Sequence, residues 1–168
     1  KGFGAYLSFD EDLRADESNV FILPPDFHYL SEGGIVRLEP GGRLITLFRK
    51  DSSYNTILLT EQCNHYCLMC SQPPKKIDDS WLLGQAINLL ELIPKNTNII
   101  GFSGGEPTLY KDDFVRLMKK TKSMLPHTKV DVLSNGRYFS APSFARKVAA
   151  VDHPQLMFCI PLYSDDPV

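Results

Sequence analysis

The sequence predicts an α/β fold built on a parallel sheet and preceded by a small β-rich region. Three observations carry that prediction. From Asn55 onward, short apolar runs alternate with segments of helical period, the pattern of right-handed βαβ crossovers. Before Asn55, two apolar runs flank a turn and no helical period is visible. The unusual residue runs fall just after the predicted strands, where barrels and open α/β sheets alike carry their function. The division is residues 1–53 for the β-rich region and 54–168 for an incomplete parallel (β/α) unit of four strands.

Taken in order, Leu7 to Asp16 shows no strong period and carries four acidic residues. Val20-Phe21-Ile22-Leu23 reads as a short strand stopped by Pro24-Pro25. Ile35–Leu38 and Leu44–Phe48 flank Pro40-Gly41-Gly42, a hairpin signal. Nothing in this region is a catalytic cluster, and a structural or peptide-docking appendage is its plainest reading. Thr56–Thr60 is the first strand of the parallel sheet. Asp79 or Ser80 can cap a helix from Trp81 to about Ile93, because Leu82, Leu83, Ala86, Ile87, Leu90 and Ile93 share one stripe. Asn98–Phe102 is the next strand. Asp112 caps a second helix with Phe114, Leu117, Met118, Met124 and Leu125 apolar, ended by Pro126. Val130–Leu133 follows as a strand. Pro142 suits the first turn of a helix to about Ala150, and Leu156–Pro161 is the last strand.

Composition narrows the class. At 168 residues, 43% hydrophobic and 23% charged, the chain can bury one sizeable core. A formal net charge of −2 gives no general pull toward nucleic acid or an anionic membrane. Apolar runs of four or five residues are too short to cross a bilayer, and no signal-peptide pattern opens the chain. The expected location is the cytoplasm. Starting at Lys1 without Met and stopping inside an Asp-Asp-Pro turn, the sequence reads as a fragment.

The chemistry concentrates on Cys63-Asn64-His65-Tyr66-Cys67-Leu68-Met69-Cys70, a loop after the first parallel strand. No helix or strand needs cysteines at such spacings, and with no sign of export metal binding accounts for them better than disulfides. Three thiolates on a cubane cluster leave one iron open to an outside ligand. The alternative is zinc, with His65 or His28 completing a Cys3His site. After the second strand comes Ser103-Gly104-Gly105-Glu106-Pro107. Its glycines offer bare backbone for close approach of a ligand, and no phosphate-loop lysine follows. Ser134-Asn135-Gly136 ends the third strand and is also an ordinary turn sequence.

The Cys-x3-Cys-x2-Cys loop followed one βα unit later by Gly-Gly-Glu-Pro resembles the radical S-adenosylmethionine (SAM) superfamily, over roughly residues 55–168. The resemblance implies the first four strands of a partial (β/α)6 barrel. It implies a [4Fe–4S] cluster on Cys63, Cys67 and Cys70, whose open iron is chelated by SAM, and reductive cleavage of SAM to a 5′-deoxyadenosyl radical. Gly104, Gly105 and Glu106 resemble the segment that holds the methionyl amino group. Ser134 and Asn135 match a Thr-Asn-Gly-like stretch, and Ser164 falls near the region that contacts the ribose in relatives. Met69 stands where the family usually has an aromatic residue beside the adenine. The narrower wording, Leu59–Asn64 with Cys70–Pro74 and Ile160–Asp165, resembles a radical SAM maturase of the His-Xaa-Ser peptide-modification system. That likeness implies a ribosomal precursor peptide as substrate and a ferredoxin or flavodoxin as reductant, with neither nucleic acid nor membrane as partner.

Several other residues read as structural. Cys159, in an apolar strand, is expected as a small core hydrophobe. Trp81 is expected to pack at a helix start, and Tyr66 to cover the loop or stack on a ligand. Lys111, Lys119, Lys120 and Lys122 form the wet face of the second helix.

Overall fold

The computed structural model describes residues 6–10 and 20–163. The lead-in holds two small sheets. Strands β1 (Tyr6–Ser8) and β2 (Val20–Ile22) pair in parallel, and β3 (Ile35–Leu38) and β4 (Leu44–Phe48) form the expected antiparallel hairpin, with a register shift between Ile35 and Val36. β1 was not expected, because a parallel partner leaves no turn signal between two runs. Phe48 is buried in the same core as the main sheet, and Ile35 and Leu47 pack against that core.

The main sheet is four-stranded and parallel, in the order β5 (Asn55–Leu58), β6 (Ile99–Ser103), β7 (Lys129–Leu133), β8 (Leu156–Cys159). Its crossovers are α1 (Trp81–Leu89), α2 (Lys111–Met124) and α3 (Pro142–Ala149). Sequential strands neighbour one another throughout, as the alternating pattern requires. The register aligns Ile57 with Phe102, Phe102 with Val132, and Val132 with Phe158. These residues form the covered face, packed in one core with Leu83, Ala86 and Leu90 at the first crossover, Phe114, Leu117 and Met118 of α2, and Phe144 and Val148 of α3. The alternate positions, Leu58, Ser103, Leu133 and Cys159, turn to the opposite face. There Leu58, Leu133 and Cys159 are exposed.

Helix α1 ends four residues before the predicted Ile93. Its last turn tightens, with Glu91 N–H bonding Asn88 C=O at 3.1 Å and Leu92 N–H bonding Leu89 C=O at 2.9 Å. Pro94 disfavours helical backbone at Ile93, yet Leu90 and Ile93 stay buried. Neither predicted carboxylate cap is used. Ser80 occupies the α1 cap position without a side-chain bond, and Asp79 turns away to other partners. Asp112 lies inside the first turn of α2 and pairs with Lys147 of α3 at 2.6 Å. No helix among the described residues is long and apolar enough to cross a membrane.

Candidate active site around the cysteine loop

The loop that carries the cysteines leaves β5 through a neck that is fixed by backbone. Leu59 N–H bonds Ser103 C=O at 2.9 Å, Gly105 N–H bonds Thr60 C=O at 2.8 Å, and Glu106 N–H bonds Gln62 C=O at 2.9 Å. The β5–β6 pairing is thus carried past both strand ends, zipping residues 59–62 to 103–106. At the far side of the loop Lys75 N–H returns to Glu61 C=O at 3.0 Å, and its ammonium pairs with the Glu61 carboxylate at 2.5 Å.

This zipper gives the reason for Gly104-Gly105. Gly104 has φ +154°, and a Cβ there would run into the Thr60 carbonyl oxygen. A Cβ on Gly105 would strike the Gln62 carbonyl and stand 3.0 Å from the Cys63 Cβ. The close approach that requires glycine is therefore made by the neighbouring backbone rather than by a ligand. Both glycines nonetheless line the cleft beside the loop, and among the described residues their carbonyls accept no hydrogen bond.

Asp79 holds the same neck from below. It is 2% exposed, and its carboxylate accepts from Thr60 Oγ1 at 2.9 Å, Glu61 N–H at 2.5 Å, Gln62 Nε2 at 3.1 Å and the Tyr110 hydroxyl at 2.9 Å. Burial alone would raise its pKa, but these bonds outweigh it and hold the carboxyl below its ordinary 3.8. A depressed carboxylate adds stability that is complete above its unfolded pKa and is lost as pH falls through the folded one. Denaturant unfolding from about pH 5 down to about pH 2 should therefore show an acid limb that Asp79→Asn flattens. An equally steep limb in that variant would count against the assignment.

Glu106 is wholly buried and, among the described residues, makes no ion pair. One carboxylate oxygen accepts from Thr108 N–H at 3.0 Å, Thr108 Oγ1 at 2.5 Å and Ser134 Oγ at 2.8 Å, and the other from Asn135 N–H at 2.7 Å. It thereby ties the end of β6 to the end of β7. Ser134 is buried and also accepts from Gly136 N–H. The Asn135 side chain reaches the cysteine loop, donating to Asn64 Oδ1 at 2.8 Å and to Cys63 Sγ at 3.7 Å. Arg137 adds bonds to Asn64 C=O at 3.2 Å and His65 Nδ1 at 3.1 Å.

Cys63, Cys67 and Cys70 all line one cleft of about 560 Å³, together with Met69, Gly104, Gly105, Ser134 and Asn135. Its floor is the exposed face of the sheet, through Ser103, Leu133 and Cys159. Cys159 is therefore corrected: it is an exposed thiol in the cleft, not a core residue. Cys63 is half-buried, and burial pushes its thiol above the ordinary value, with the Glu106 charge adding in the same direction. Cys70 is exposed, and its thiol meets the Gln72 carbonyl at 3.0 Å. Among the described residues no three His, Cys, Asp or Glu side chains are gathered to hold a single metal ion. Cys63, Cys67 and Cys70 line the cleft, and thiolates are the ligands that hold iron–sulfur clusters. The donor set therefore fits a cluster. His28 stacks on Phe9 and is not among the cleft residues. Trp81 is half exposed with the Arg37 guanidinium over its ring at 4.8 Å, and Tyr66 is exposed. Ser164 lies outside the described residues.

The parallel sheet thus carries three cysteines in the loop after its first strand and a glycine ledge after its second, all lining one cleft. The family model of the radical SAM superfamily matches residues 57–160, more than half of the chain, and the chain belongs to that superfamily. Membership implies an enzyme, and its members typically use a [4Fe–4S] cluster and SAM. No curated protein matches the chain.

Proposed function

We propose that this chain belongs to a radical SAM peptide maturase. In this reading residues 1–53 are a β-rich lead-in domain, and residues 54–168 begin a partial (β/α)6 barrel. Cys63, Cys67 and Cys70 hold a [4Fe–4S] cluster, and the neighbouring cleft takes SAM. When bound, the pair would supply reductive cleavage of SAM, one electron from the reduced cluster releasing methionine and a radical able to take hydrogen from the substrate. The observation that carries this reading is that the three thiols and the Gly104-Gly105 ledge line a single cleft.

The chain's own groups have definable tasks there. The N–H groups of Gly105 and Glu106 are engaged by Thr60 and Gln62, which leaves the Gly104 and Gly105 carbonyls, unbonded among the described residues, as the ledge's polar groups. Carbonyl oxygens suit an ammonium group, such as the amino end of an amino-acid-like ligand. Glu106 acts from below the ledge, fixing Ser134 and Asn135 as part of the wall. Met69, 63% exposed, offers a polarizable surface to an adenine. The peptide substrate rests on the wording of the cysteine segment, and a ferredoxin or flavodoxin in the cytoplasm is the proposed reductant.

Anaerobic reconstitution with iron and sulfide tests the reading. The expected product is a brown protein that forms 5′-deoxyadenosine from SAM and a reductant. A colourless protein holding one tight zinc would support a non-catalytic module instead. For the substrate, co-expression with a neighbouring short peptide rich in His-Xaa-Ser triplets should change that peptide's mass. An unchanged mass would favour a different substrate.

A further inference from the structure

We infer that Asn135 raises the reduction potential of the cluster by donating an amide N–H to the Cys63 sulfur, and that Glu106 is the positioning residue that holds Asn135 there. The inference rests on the proposed cluster and goes beyond it, since it assigns the setting of a potential rather than the binding of a cofactor.

Geometry fixes which end of the Asn135 amide faces the sulfur. Its Oδ1 accepts the Arg137 backbone N–H at 3.0 Å, and a backbone donor can face only the oxygen. The NH2 group must then point the other way. One of its protons is directed to Asn64 Oδ1 at 2.8 Å, leaving the second for Cys63 Sγ at 3.7 Å. The backbone is held equally firmly, because Asn135 N–H binds the buried Glu106 carboxylate at 2.7 Å. Ser134 Oγ shares that carboxylate at 2.8 Å and in turn accepts Gly136 N–H at 3.0 Å. A rigid line thus runs from the end of β6 through the end of β7 to one cysteine of the loop.

A hydrogen bond to a cluster sulfur is strongest in the state with more negative charge. One-electron reduction adds a negative charge, so the Asn135 bond favours the reduced cluster and lifts its potential. Hydrogen bonds to the sulfurs are among the established levers on such potentials.

The test is a redox titration of the anaerobically reconstituted protein, followed by electron paramagnetic resonance, with iron content measured on each sample. Asn135→Asp keeps the acceptor for Arg137 N–H and loses both amide protons; Asn135→Ala loses the whole group. Both should retain iron and show a lower potential. The shift should be roughly tenfold in the reduction equilibrium, about 59 mV for one electron, and larger for Asp because it adds a charge. Asn64→Ala removes the other partner of the same amide and should keep the parent potential. A parent-like potential in either iron-retaining Asn135 variant overturns the inference. Iron loss in both overturns it too, since Asn135 would then only hold the loop. An equal fall in Asn64→Ala has the same force. Failure of the parent to take up iron would instead remove the cluster reading underneath.

Discussion

Replacing Cys67 by alanine should abolish iron uptake. Each thiolate of a site-differentiated cubane bonds one iron, and with Cys67 gone two irons would lack a protein ligand. The loop has no obvious substitute. His65 is engaged with Arg137, and Cys70, whose N–H bonds Cys67 C=O at 3.1 Å, is already assigned to another iron. Cys159 is the informative control because it is a fourth thiol lining the same cleft. It projects from the sheet, not from the loop, so Cys159→Ala should keep its iron. Iron and sulfide analysis after anaerobic reconstitution reads both variants. Undiminished iron in Cys67→Ala would dismiss the ligand assignment, and parallel loss in Cys159→Ala would move the site toward the sheet.

The second large effect is expected at Gly105. An alanine Cβ would stand 2.6 Å from the Gln62 carbonyl carbon and closer still to its oxygen. Neither neighbour is a flexible side-chain tip, so the two backbones must part. Separation would break the Gly105 to Thr60 and Glu106 to Gln62 bonds, at about 1 kcal/mol each. Adding the overpacking cost of roughly 1–3 kcal/mol, Gly105→Ala should lose about 3–5 kcal/mol in denaturant unfolding. Gly84 provides the contrast. It lies within α1, with nothing within 4 Å of an added Cβ, and Gly84→Ala should gain about 0.5–1 kcal/mol. If Gly105→Ala were as stable as the parent, the ledge would have to be kept for some reason other than backbone crowding.

Local pattern revealed the main sheet because its signals are local. The apolar run at Thr56–Thr60, the stripe through Leu82, Ala86 and Leu90, and the stops at Pro94 and Pro126 each depend on a few adjacent residues. What remained hidden depends on partners far along the chain. Asp79 looked like a helix cap because Ser80 and Trp81 follow it, whereas its bonds go to Thr60 and Tyr110. Its doubled neighbour was the available hint. Asp78 takes the local role, accepting Ser80 N–H at 3.1 Å, and leaves Asp79 free for a distant one. Sequence alone makes Cys159 a core residue because Leu156–Pro161 is apolar throughout, which conceals the period-two alternation that places Met157 and Cys159 on the exposed face. The Gly104-Gly105 pair was recognised as a place of close approach, but not what approaches it. A single sequence shows that room is needed and not which atoms fill it.

The zipper at residues 59–62 makes the three sulfurs unequal before any iron arrives. Cys63 follows directly from main chain that is already locked, with Asn135 touching its sulfur. Cys67 and Cys70 sit further along the loop, on a stretch whose one main-chain hydrogen bond among the described residues is Cys70 N–H to Cys67 C=O. At the proposed cluster site, the entropy of ordering the stretch that bears Cys67 and Cys70 would be subtracted from the affinity for the cluster.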